Sequence, residues 1–144
     1  MDVKEKDIEI QIKPKKGIEI SSKTILFRQT KTMIEKVLGI PNKKYFTLEG
    51  NERWQYFDMM IELSFEKENS FLLGWIEVYH KQTSLFSKYL IGYRKNMVLE
   101  KLNSSISTTP EIEDYGTFES YFFEDEWLEL HFMFDRLTNI NFGS

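Results

Sequence analysis

Few residues in this chain could do chemistry: it has two histidines, no cysteine, and 23 acidic residues among 144. His80 and His131 have no His or Cys neighbour at ligand spacing, so a metal site would have to be assembled from scattered carboxylates. Glu119 beside His131 has the form of a base and its orienting acid, but no nucleophile or oxyanion signature accompanies the pair, and an exposed ion pair explains it more simply. The seven glycines stand singly, which leaves no phosphate-cradling loop and no dinucleotide fingerprint. Glu124-Asp125-Glu126 lacks the alternating oxygen ligands and the glycine of a calcium loop and reads as a charged hairpin tip. The expectation is no catalytic set, no metal and no cofactor, and a protein that binds rather than an enzyme.

What it would bind with is concentrated near the C-terminus. From Glu111 onward nine carboxylates face Arg136 alone, a net of −8, while the preceding 110 residues hold 18 bases and 14 acids, a net of +4. That asymmetry points to a basic partner. The whole chain carries −4, which argues against a general nucleic-acid binder, because neutralising phosphates needs clustered Lys and Arg.

Alternation suggests how the acids are displayed. Phe118 and Phe122 share one side of a strand, and Leu128, Leu130, Phe132 and Phe134 share one side of the next. Burying both sets together requires Phe123 opposite Trp127, with Glu124, Asp125 and Glu126 as a three-residue loop. Tyr121 then sits beside Glu129 and Glu119 beside His131 on the outer face, which extends through Glu111, Glu113, Tyr115, Trp127 and Met133. Tyr and Trp offer contact area at little rotamer cost, and carboxylates accept paired hydrogen bonds from Arg. The predicted partner-binding set is therefore Glu111, Glu113, Tyr115, Glu119, Tyr121, Glu124, Asp125, Glu126, Trp127, Glu129 and His131. The plainer reading is an ordinary solvated sheet face with Trp127 and Met133 covered by a helix.

The elements that must position these residues are those of a single α+β domain over residues 1–144, with antiparallel sheet packed on two or more short helices. Ile8, Ile10 and Ile12 alternate with polar residues, a strand ended by Pro14, and Ile18 to Ile20 is a second short extended piece. A helix is predicted over Thr30 to Leu38, with Met33, Ile34, Val37 and Leu38 on one face, Thr32 and Glu35 at capping-box spacing, and Gly39 and Pro41 as stop signals. Trp54 to Phe65 reads as one long strand, Glu66 to Ser70 as a turn, and Phe71 to Tyr79, apolar on both faces, as a central strand. A second helix is predicted over Tyr93 to Asn103 with Met97, Val98 and Leu102 inward. Three strands follow, over Glu111 to Phe122, Trp127 to Phe134 and Leu137 to Phe142.

Met33-Ile34 and Leu38 return 64 positions later as Met97-Val98 and Leu102, and Ile61-Glu62-Leu63-Ser64-Phe65 returns 67 positions later as Leu128-Glu129-Leu130-His131-Phe132. These echoes predict an internal duplication of a helix-plus-meander unit, residues 22–80 and 86–142. Chance alignment of two amphipathic helices followed by strands is the competing account.

A helix ending in Leu38-Gly39-Ile40-Pro41 and running into an aromatic meander resembles the repeat of the β-lactamase inhibitor proteins and of small outer-membrane assembly lipoproteins. The charged leader Met1 to Asp7 lacks the apolar core of a secretory signal, and there is no cysteine to lipidate. In size, acidity and richness in Lys, Glu, Ile, Asn and Phe, the chain also resembles the cytosolic immunity proteins of bacterial polymorphic and contact-dependent toxin systems. That resemblance implies a cytoplasmic inhibitor occluding a basic toxin domain, with no nucleic acid and no membrane. The alternative is a structural or assembly adaptor without inhibitory duty.

Overall fold

Isoleucine alternation does the first work of folding. In the computed structural model, which describes residues 8–144, Ile10 and Ile12 on β1 (Ile10–Lys13) and Ile18 and Ile20 on β2 (Gly17–Ile20) turn inward across an antiparallel hairpin. β3 (Lys23–Leu26) pairs with β2, and on the other side of β1 lie β8 (Thr83–Leu85) and β9 (Lys88–Tyr89). This five-stranded sheet, in the order β3-β2-β1-β8-β9, contains one parallel contact, β1 with β8. The charged leader, residues 1–7, lies outside the described residues.

The second sheet has eight strands and is antiparallel throughout. β4 (Lys43–Phe46), β5 (Glu52–Tyr56), β6 (Ile61–Glu66) and β7 (Leu72–Val78) form one meander, and β10 (Glu111–Asp114), β11 (Glu119–Phe123), β12 (Leu128–Met133) and β13 (Arg136–Gly143) form another. The meanders join through their fourth strands, in the order β10-β11-β12-β13-β7-β6-β5-β4. The predicted central strand is thus central. Helices α1 (Lys31–Leu38) and α2 (Lys95–Leu102) each precede a meander, and their buried residues Ile34, Val98 and Leu102 enter a single core shared by both sheets. Phe27, just after β3, meets Phe142 of β13 edge-on at 5.7 Å. The chain is α+β and mostly sheet.

Two long strands expected from sequence are broken. Residues 57–60 turn the chain back, so that Gln55 pairs with Glu62 and β5 and β6 form a hairpin rather than one strand. Gly116, at φ 89°, and the Asp114 side chain accepting from its amide at 2.8 Å likewise fold residues 111–122 into β10 and β11. Local apolar runs are blind to such turns. The α1 cap is Thr30, whose hydroxyl accepts from the Met33 amide at 3.2 Å, not Thr32. Met33 and Met97 are exposed on their helices, not inward.

The two halves repeat in detail. Both helices are eight residues long and begin 64 positions apart, and the first three meander strands recur at an offset of 67 or 68. β6 and β7 slip register after Ser64, leaving Gly74 as a bulge; β12 and β13 slip after His131, leaving Thr138, 64 positions on. Leu73 exchanges backbone hydrogen bonds with Arg28 and Gln29, and Leu137 does the same with Gly92 and Tyr93. Lys31 of α1 binds Glu52 of β5 at 2.8 Å, and Lys95 of α2 binds Glu119 of β11 at 2.6 Å. Chance alignment of helices and strands does not reproduce a bulge, a backbone pair and an ion pair at the same stations.

Candidate functional site

The decisive parity belongs to the β11–β12 hairpin, and it differs from expectation by one residue. Phe123 pairs with Leu128, Phe122 with Glu129, Tyr121 with Leu130, Ser120 with His131 and Glu119 with Phe132. The turn takes four residues instead of three: Glu124–Glu126 form a 3-10 turn and Trp127 caps it in the left-handed region at φ 50°. The extra residue exchanges the faces. Tyr121 is 8% exposed, its ring edge-on to Phe132 at 5.2 Å, and Phe123 is buried beside it.

The predicted set therefore divides. Tyr121 is a core residue, the counterpart of Trp54 one repeat earlier. Glu119 lies on the same side, clamped to Lys95 as Glu52 is to Lys31. Glu124, Asp125, Glu126 and the 48%-exposed Trp127 stay at the hairpin tip, away from the rest. Glu111, Glu113, Tyr115, Glu129 and His131 do share a face: Glu111 and Glu113 stand opposite Phe122 and Ser120, and Tyr115 stacks on Phe118, whose ring meets His131 at 4.8 Å.

That face is the side of the eight-stranded sheet turned away from the core. Both helices are held on the other side, by Ile34, Val98 and Leu102 and by the two lysine clamps. Strand pairing draws Gln55, Glu62, Glu77, Asn141, Glu129 and Phe122 into one row across six strands. Ser64, Trp75 and Gly143 form the next row. The Trp75 ring lies against Gly143, where a Cβ would come within 2.0 Å of Cε3.

Electrostatics within the row are uneven. Glu62 is saturated, accepting from Tyr45 Oη at 2.8 Å, Gln55 Nε2 at 2.7 Å and Arg53 Nη1 at 3.1 Å. Glu129 accepts from Ser120 Oγ, from His131 Nε2 at 3.1 Å and, more distantly, from Asn141 Nδ2 at 3.5 Å. These donors, His131 foremost, hold its carboxyl down at about 2 against the cost of burial. With Nε2 donating to Glu129, Nδ1 is free to accept from Asn139 Nδ2 at 3.2 Å. Glu77 differs. It stands directly opposite Glu62, and burial together with that like charge pushes its carboxyl above the ordinary range, although Tyr79 Oη donates to it at 2.9 Å and Arg53 Nη1 lies 3.8 Å away. Arg53 bridges both acids, and its Nε and the facing Ser64 Oγ are buried with no hydrogen-bond partner.

Ser120, Glu129 and His131 do not make a nucleophilic set. The serine donates to the carboxylate and not to the imidazole, so the acid stands between the hydroxyl and the base, and Ser120 is buried. No cluster of three or more His, Cys, Asp or Glu suited to a metal occurs among the described residues.

No family model matches the chain, and no curated protein matches it. Two solved structures resemble it. An extracellular protein containing an SCP domain, from Bacillus anthracis str. Ames, superposes with a TM-score of 0.55 at 14% identity over 82% of this chain. A DUF4309 family protein (YjgB) from Bacillus subtilis subsp. subtilis str. 168 gives 0.48 at 13% identity over 80% of this chain and 78% of its own. At 14% identity the likeness to the Bacillus anthracis protein shows the fold alone. The chain spans 44% of the Bacillus anthracis protein.

Sequence reasoning missed Arg53, Trp75, Glu77 and Asn141 above all: β7, expected to be covered on both faces, has one face turned away from the core, and Arg53 and Asn141 come from strands read there only for their core side. One signal was available: projecting the 67-residue offset from the third strand onto the second equates Trp54 with Tyr121 and Tyr56 with Phe123, which places both aromatic pairs inside.

Proposed function

We propose that the chain is a protein-binding module, most specifically an inhibitor of the immunity type, whose docking surface is the open face of the eight-stranded sheet centred on Trp75 and Glu77. The supporting observation is the like-charged pair Glu62 and Glu77 set opposite each other mid-sheet, an arrangement that costs stability. Glu62 accepts three donors and Glu77 fewer, so an incoming Arg or Lys would meet a less compensated carboxylate beside the half-buried Trp75 indole. Glu111, Glu113 and Glu129 extend the same sign across the C-terminal half and favour a basic partner such as a toxin domain. The wrong-order Ser120, Glu129 and His131 support binding over catalysis.

The alternative, a structural or assembly adaptor, draws on the neighbour in which this fold occupies under half the chain and so stands beside other structure. Co-expression with the product of the gene immediately upstream, followed by titration calorimetry, tests the proposal. A one-to-one complex is expected, weakening steeply with salt and at least tenfold with Trp75→Ala or Glu77→Gln. No complex, or one indifferent to both substitutions, overturns it. A complex that leaves the partner's activity intact supports the adaptor.

A further inference from the structure

At the end of the sheet where β7 finishes and β13 begins, the β5–β6 turn, the β12–β13 turn and the segment after β9 enclose a groove of about 650 Å³. Its walls are apolar, with Met60, Tyr79, Ile91, Met133, Phe134 and Leu137 supplying most of the surface. The volume falls within the roughly 300–1,000 Å³ of small-molecule sites. Two thioether side chains give it adaptable walls.

Two of those residues occupy backbone positions that suit them badly. Met60 has φ 54° and Phe134 φ 51°, left-handed conformations that Gly or Asn adopts at far less strain than a large apolar residue. Phe134 is also 92% exposed. Hairpin closure sets these angles, as it does at Trp127, and an asparagine would serve either turn with less strain. The exposed Phe134 ring adds apolar surface to the groove wall.

The charge at the rim selects the ligand. Lys81 and Arg136 are the formal cations of the lining, which among the described residues contains no carboxylate. Arg136 Nη1 donates to the Gly92 carbonyl at 2.9 Å, fixing the guanidinium at the edge. The nearby Asp135 is engaged by Arg94 at 3.4 Å. We infer that the groove binds a free long-chain carboxylate, its aliphatic tail among Met60, Ile91, Met133 and Phe134 and its anionic head at Lys81 and Arg136. This inference is independent of the docking role of the open face.

Titration calorimetry of the full chain with decanoate, dodecanoate and tetradecanoate below their micelle concentrations tests it. Saturable one-to-one binding is expected, tightening about two- to fourfold per methylene, and at least tenfold weaker for dodecyltrimethylammonium. Lys81→Gln should weaken dodecanoate about fivefold. Phe134→Asn should weaken it similarly while folding at least as well as the parent, because asparagine tolerates the positive φ. Four results overturn the inference: no saturable binding, equal affinity for the cationic amphiphile, binding only to phosphatidylglycerol vesicles, or a dimer of the parent chain that Phe134→Asn dissociates. The last would make a second copy the occupant.

Discussion

Glu129→Gln removes one charge from the open face while keeping the size and shape of the side chain. The carboxyl is held at about 2 against an ordinary 4.5, equivalent to roughly 3 kcal/mol of preference for the ionised form in a fully sheltered site. About a quarter of the side chain is exposed, so screening reduces the expected contribution to about 1–2 kcal/mol. Because the folded value lies below the unfolded one, the stability is fully present above the unfolded value and drains away as pH falls toward the folded one. The gap between parent and Glu129→Gln should therefore be complete above about pH 5.5 and shrink to about two-fifths by pH 3. Urea unfolding followed by tryptophan fluorescence at pH 7, 5, 4 and 3 measures it, with a shift of about 2–4 °C in Tm per kcal/mol as a check. Equal stability at pH 7 would refute the assignment of Ser120 and His131 as donors that favour the charge. A gap that persists undiminished at pH 3 would show that packing, not charge, separates the two proteins.

Two further substitutions probe the register and the seam. Tyr121→Ala should cost about 3 kcal/mol in urea unfolding, as deletion of a buried ring does, and Trp127→Ala under about 1 kcal/mol; the reverse order would restore the parity in which Tyr121 faces water. Gly143→Ala puts a Cβ 2.0 Å from Trp75 Cε3 and 2.8 Å from the Gly74 carbonyl, so the indole must move; an unchanged emission maximum and unchanged stability would mean that Trp75 does not lie over this glycine.

The sequence makes the fold legible where periodicity is strong and unlegible where a single residue decides. Both helices, the central β7 and the class of the fold follow from the spacing of Ile34, Val98 and their neighbours and from the doubly apolar run Leu72–Val78. The β5–β6 hairpin is hidden because Met59 leads into the alternation of Ile61, Leu63 and Phe65 through a turn that Met60's backbone angle reveals. The candidate site was lost at a comparable point: whether three or four residues cross the β11–β12 turn hangs on Trp127 adopting a left-handed angle that nothing in its type announces. One residue of slip then carried Tyr121 and Glu119 to the opposite face. Gln55, Glu62, Glu77, Asn141 and Glu129 could not be joined from sequence, because their row depends on strands far apart in the chain pairing at the β7–β13 seam.

That seam also explains why function would settle there. Corresponding positions of β7 and β13 match on the core side, with Leu73 and Leu137 at one station and Ile76 and Ile140 at another, since both halves pack one interior under the same steric demand. On the open side the same stations differ: Trp75 corresponds to Asn139 and Glu77 to Asn141. A repeated unit can hold its scaffold in both copies while one copy acquires the bulky ring and the charge, and the two-copy sheet places that difference at its middle, where a partner's contact would be most sheltered from water. Asn139 and Asn141 keep the second copy's side of the seam polar but neutral, hydrogen-bonded to each other at 2.9 Å. Glu77 is thereby spared a second acid directly across from it, since Asn141 stands on its β13 side and Glu62 on its β6 side.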